Sequence, residues 1–255
     1  MDQTQSHVLL SPPASAASPT PSASSIGFRN LSLPVPRSHR LRPGSQKEIA
    51  LINYLDDRIL RITRRYAKKF SNEVLDNDDS PGYTTYDEFV SDADPLVDVV
   101  WISGTPTIQI PYLLSLAGLT CSYLQAFPFS VSLFYITSKI DQGFSSLLHS
   151  SEENNATAAS HHHVSMTEKV RIKSLIEETR VAAVHSASAS GHVASIQDIS
   201  DVETEDEDED DSRQQQTLSI SLRLSRIYKR TLEILGDSLV TNSLPQNQDI
   251  DTEMS

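Results

Sequence analysis

Apolar side chains recur at intervals of three and four in several blocks of the chain, and polar or Ser/Pro-rich stretches separate the blocks. In residues 46–71, Ile49, Ile52, Leu55, Ile59, Ile62, Tyr66 and Phe70 fall on one stripe of an α-helix. Ser45 can cap that helix, with Glu48 three residues on to complete a capping box. Residues 72–93 read as a polar, acidic connection through Asp76-Asn77-Asp78-Asp79-Ser80-Pro81-Gly82. Order resumes at Asp94-Pro95, an N-cap and a proline suited to a first helical position. The short helix that follows carries Leu96, Val97, Val99, Val100 and Trp101 and ends at Gly104. Another helix is expected from about Thr107 to Gln125, provided Pro111 lies in its first turn, before Phe127-Pro128-Phe129-Ser130 breaks the chain.

Leu133, Ile136, Ile140, Phe144 and Leu147 mark a core-facing helix over 131–148. Ser165-Met166-Thr167-Glu168 is a second capping box, and the helix it opens, to about Ala187, presents Ile172, Leu175, Ile176, Thr179 and Ala183 on one face. The block 217–240 is ambiguous at its start. Leu218, Ile220, Leu222 and Leu224 alternate as in a strand, whereas Leu224, Ile227, Tyr228, Ile234, Leu235 and Leu239 fit a helix. Helix is the better reading, because no other strand is predicted and a lone strand leaves its backbone unpaired. No internal repeat of fixed period is present.

The pattern predicts an all-α fold, an up-and-down helical bundle over about 45–242. A Ser/Pro-rich arm, 1–44, precedes it and is expected to be disordered; it holds seven of the thirteen prolines. A Ser-rich, then acidic, then Gln-rich insertion at 188–216 and a tail at 243–255 are expected to be disordered as well.

Composition narrows the class. Apolar residues are 38% and aromatics 6% of the chain, low for a protein ordered throughout, so the core must come from the blocks named above. The single cysteine, Cys121, permits no intrachain disulfide and no cysteine zinc cluster, which fits the reducing nucleus or cytoplasm. Net charge is −13, yet eight of the nine residues from Glu203 to Asp211 are acidic, so the total describes no single surface. The first residues lack the basic start and apolar stretch of a secretory signal. Val99 to Ser138 carries no charge, but Gln109, Pro111, Tyr112, Ser115, Thr120, Gln125 and Pro128 interrupt it. It reads as buried helices rather than a membrane span.

Enzyme signatures fail on spacing. No two glycines are two, four or five apart, which removes the dinucleotide fingerprint, the nucleophile elbow and the P-loop. No catalytic residue, cofactor or small-molecule substrate is expected. The tract His161-His162-His163 reads as a solvated loop rather than a metal site, and Cys121 as a small buried hydrophobe between Leu119 and Leu124. Acids after Ser200 and Thr204 resemble acidophilic kinase sites.

One cationic feature stands out. Arg58, Arg61, Arg65 and Lys68 step by three, four and three beside the apolar stripe of the first helix. Such a strip is a solvated face, a seat for the chain's own acidic run, a contact for an acidic protein, or a contact for phosphates. With Trp101 it supplies the candidate partner-binding residues. The function expected is a non-enzymatic scaffold or subunit of a larger assembly. The alternative is a DNA- or chromatin-associated accessory factor that uses the strip.

The stretches EIALINYLDDRILRITRRYAKKF from Glu48, DPLVDVVWISGTPTIQIPYLLSLAGL from Asp94, KIDQGFSSLL from Lys139 and MTEKVRIKSLIEETR from Met166 resemble a poorly characterised family of fungal proteins. Some members of that family are labelled meiotic recombination protein. The resemblance covers about half the chain and consists of helical packing sequences, so it implies no catalytic or binding residue. A strand-exchange recombinase needs an ATP-binding loop that these glycines do not form, so the role implied is at most an accessory one.

Overall fold

A computed structural model describes residues 32–71, 81–153, 164–192 and 218–241. Every regular element among them is a helix. The helices are α1 (Gln46–Lys68), α2 (Tyr86–Ile102), α3 (Pro106–Tyr123), continued by a 3-10 turn at Leu124–Ala126, α4 (Ser132–Glu153), α5 (Met166–Ala189), α6 (residues 218–225) and α7 (Lys229–Thr241). The arm before residue 32, the His161–His163 tract, the acidic run at 203–211 and the tail after 241 lie outside the described residues.

Specific bonds show that direction alternates from helix to helix. Arg65 near the end of α1 meets Glu88 near the start of α2. The Tyr86 hydroxyl, at the start of α2, donates to the Thr120 carbonyl near the end of α3. Lys139 of α4 reaches back to Asp94 and Asp98 of α2, which runs parallel to it. The centre is α3 and α4: α4 packs on α2, α3 and α7, while α3 packs on α2, α4 and α5. α1 lies on α2.

Both expected caps form. Ser45 Oγ accepts from the Glu48 amide at 3.3 Å, and the Glu48 carboxylate accepts from Gly44 N, one residue upstream of the usual partner. At α5 the box is complete: Ser165 Oγ accepts from Glu168 N, and Glu168 accepts from Ser165 N. The stripe of α4, Leu133, Ile136, Ile140, Phe144 and Leu147, is buried throughout. Burying side chains of this size is worth about 1.5–3 kcal/mol each, which anchors α4 in the middle of the fold. On α1 the stripe is buried at Leu55 and Ile62, half-buried at Ile52, Ile59 and Tyr66, and exposed at its ends, Ile49 and Phe70.

Three expectations are corrected. First, α2 starts at Tyr86 with Thr85 as its cap, not at Asp94-Pro95. Residues within the supposed connection, Tyr83, Tyr86, Phe89, Val90 and Ala93, are buried, and the last four step along one face. Second, Pro95 and Pro111 sit inside α2 and α3. Each removes one amide donor, but both prolines are exposed, and the carbonyls that lose a helical partner belong to Ser91 and Thr107 on the solvent side. Third, the final block is two helices, broken at Tyr228, whose φ is +54° while its ring is buried. Residues 218–225 are helical, so the strand alternative is excluded there. The break aims Leu224 of α6 and Ile234 and Leu235 of α7 at the same core.

Residues 32–45, from the Ser/Pro-rich arm, lie along the helices. Arg37 N donates to the Ile102 carbonyl, Leu41 N to Thr105 Oγ1, and Leu33 N to Gln142 Oε1. Gly104 is what lets this strap approach the end of α2. Its φ is +56°, and a Cβ there would stand 2.7 Å from the Arg37 carbonyl oxygen.

Candidate partner-binding surface

α1 presents its cations because its apolar stripe is turned toward α2. The groove between the two helices, about 450 Å³, is lined by Tyr54, Arg58, Arg61, Ile62 and Arg65 on one side and Asp92, Pro95 and Leu96 on the other. The candidate residues are not equivalent within it. Arg65 is held inside the fold: its guanidinium meets Asp92 at 2.6 Å and Glu88 at 3.4 Å, donates from Nε to the Pro81 carbonyl, and covers the Tyr83 ring at 4.2 Å. The Tyr83 hydroxyl donates to the same Asp92. These bonds clamp residues 81–92 onto α1, which makes Arg65 a structural tie.

Arg58 lies over the Tyr54 ring at 5.2 Å and is half-buried, whereas Arg61 is exposed at the groove mouth. Lys68 is half-buried one turn beyond and does not line the groove. Trp101 stands apart, half-buried against the core at the far end of α2, where its carbonyl accepts from Gln109 Nε2. The structure therefore brings Arg58, Arg61 and Arg65 together and leaves Lys68 and Trp101 outside.

The strap extends the positive surface. Arg37, His39, Arg40 and Arg42 line a shallow recess with Ser45 and Lys47 at the start of α1. Residues 32–71 carry ten Lys or Arg against Glu48, Asp56 and Asp57, in a chain whose total is strongly negative. That imbalance gives residues 32–71 a locally positive surface.

Beneath the core, Lys139 is 2% exposed and bonded to Asp94 at 2.5 Å and Asp98 at 2.7 Å, with the Tyr135 hydroxyl also donating to Asp94. Burial alone lowers the pKa of the ammonium, but the two aspartates outweigh it and hold the pKa above its ordinary value. Sequence reasoning assigned Asp94 to a helix cap; its spacing from Asp98, one turn on, is the signal for this pair. Cys121 is buried, and its burial raises the thiol pKa, so it stays protonated at neutral pH. This is how a small hydrophobe behaves, as expected.

A second cationic recess, missed in the sequence, lies at the α6–α7 elbow. Arg223, Arg226, Lys229 and Arg230 line about 410 Å³ together with Phe134, Thr137, Ser138 and Asp141 of α4. The spacing 223, 226, 230 was the available signal, although the break at Tyr228 separates Arg223 and Arg226 from Arg230. Asp141 is already committed, because its Oδ1 accepts from Thr231 N at 3.0 Å and from Thr231 Oγ1 at 2.6 Å. In this way it caps the first turn of α7 from a neighbouring helix.

Against known families, residues 82–236 match TFB6, described as subunit 11 of the general transcription factor TFIIH. The match runs from just before α2 into α7 and stops short of the strap and α1. No curated protein and no solved structure matches.

Proposed function

Because the chain belongs to the TFB6 family of TFIIH subunits, we propose that it is a non-enzymatic component of a nuclear transcription assembly of the TFIIH kind, holding its partners through protein contacts. The observation that carries this is the extent of the match, which takes in nearly all of α2 to α7, the helices that form the core. Supporting it, the buried charges among the described residues, Lys139 and Asp141, are committed to bonds between helices. α1 and the strap, outside the matched region, add the cationic surface of Arg58 and Arg61 as a partner contact, with Lys68 as a further candidate there and Trp101 as one within the matched region.

The test is affinity capture of the tagged full chain from nuclear extract, read by mass spectrometry. Recovery of TFIIH subunits in fixed proportion supports the proposal, and their absence overturns it. An Arg58→Glu, Arg61→Glu double change should reduce capture with helicity intact. Arg65 is left unchanged, since its loss would loosen α2 from α1.

The charge of residues 32–71 favours a second reading, a DNA- or chromatin-associated accessory role for that surface. Retention on duplex DNA that falls steeply between low and moderate salt would support it, and no retention at low salt would dismiss it.

A further inference from the structure

The arginines of the α6–α7 elbow are exposed and have no answering carboxylate, unlike the half-buried Arg65 and the buried Lys139. Arg65 and Lys139 each meet two carboxylates. Among the described residues, Arg223, Arg226 and Arg230 meet none, although the chain holds 34 acids. Lys229 reaches Glu233 only at 3.6 Å along its own helix, and the one carboxylate lining the recess, Asp141, is occupied by Thr231. Arg223 is preorganised as well, its guanidinium resting 4.2 Å over the Phe134 ring. Planar guanidinium groups converging on one concavity suit carboxylates, which they can bind through paired N–H donors.

We propose that this elbow is the seat of the chain's own acidic run, Glu203 to Asp211. Two facts select that occupant over an acidic segment in trans. One is charge: the run carries eight carboxylates in nine residues, against four cations in the recess. The other is reach. Asp211 precedes Leu218 by seven residues, which span at most about 25 Å when extended, whereas Arg226 lies only about 12 Å along the helix path from Leu218. A tether this short holds the run near the recess at a concentration on the order of millimolar. The α1 strip is the weaker seat, because Arg65 is already paired with Asp92 and Glu88 and Arg58 lies over the Tyr54 ring. The contact is independent of the subunit reading.

The experiment uses the full chain and a fluorescent synthetic peptide of residues 202–212, with binding read by anisotropy at low ionic strength. One host is the unaltered chain. The other carries Gln or Asn at all eight acids of the run (Glu203→Gln, Glu205→Gln, Asp206→Asn, Glu207→Gln, Asp208→Asn, Glu209→Gln, Asp210→Asn, Asp211→Asn). The neutralised chain should bind the peptide at least tenfold tighter than the unaltered one, and adding Arg226→Gln and Arg230→Gln should abolish binding with the circular dichroism unchanged. Equal binding by the two hosts overturns the proposal. So does binding that survives the arginine changes, or that is lost instead with Arg58→Gln and Arg61→Gln. A second readout needs no peptide. In the otherwise unaltered chain, Arg226→Gln with Arg230→Gln should accelerate cleavage within the run by a glutamate-specific protease several-fold, and an unchanged rate counts against the contact.

Discussion

Replacing Lys139 by methionine keeps the length and apolar body of the side chain and deletes one charge, so the change isolates the ion pairs beneath α2 and α4. The ammonium is 2% exposed and lies 2.5 and 2.7 Å from its two carboxylates, whose side chains are 17% and 34% exposed. At such distances and an effective dielectric of about 20, each attraction is roughly 6 kcal/mol before desolvation, which cancels most of it. Deleting one partner of a buried pair costs about 3–5 kcal/mol, since the remaining charge is stranded. The partial exposure of Asp98 and the Tyr135 hydroxyl on Asp94 place this site at the lower end, about 3 kcal/mol. Urea unfolding at neutral pH, followed by circular dichroism, measures the loss. Adding Asp94→Asn and Asp98→Asn should restore much of it, because the stranded charges go. A loss under about 1 kcal/mol, or no recovery with the asparagines, would refute the view that Lys139 neutralises a buried pair of carboxylates.

Gly104→Ala should destabilise by about 2 kcal/mol, from the positive φ and the 2.7 Å approach to the Arg37 carbonyl; a thermal melt within a degree of the unaltered chain would contradict this. Tyr228→Phe should be neutral or stabilise by about 1 kcal/mol, because the hydroxyl is buried without a hydrogen-bond partner, and a clear loss in urea unfolding would show that it has one. Burial, first among the causes, drives the pKa of Tyr86 and Tyr228 well above the ordinary tyrosine value. A folded pKa raised in this way gives stability that is complete below about pH 10 and is lost above it, by about 1.4 kcal/mol per pH unit for each group. Urea midpoints between pH 9 and 11 should show that slope, and Tyr86→Phe with Tyr228→Phe should reduce it, leaving the share of the other tyrosines whose pKa is raised, Tyr83 and Tyr112 among them.

The helices were legible where one face is apolar and the other polar. α1, α4 and α5 could be read with their caps at Ser45 and Ser165, because period and capping are local properties of the chain. α2 was cut short because its first two turns carry Asp87, Glu88, Ser91 and Asp92 on the outer side, while the aromatics on the inner side sit beside an acidic stretch that resembles a turn. Pro95 then looked like a start rather than an interior residue facing water. What only the tertiary structure decided is the fate of each charge. Sequence placed Arg58, Arg61, Arg65 and Lys68 on one strip, but packing on α2 turned Arg65 into a tie to Asp92 and left Arg61 at the groove mouth. Likewise Asp94 became the partner of Lys139, 45 residues away, and Asp141 the cap of α7. Periodicity is set by neighbours along the chain, so one dimension suffices to read it; the pairing of charges depends on which helix faces are brought together, and that is settled only when the core closes.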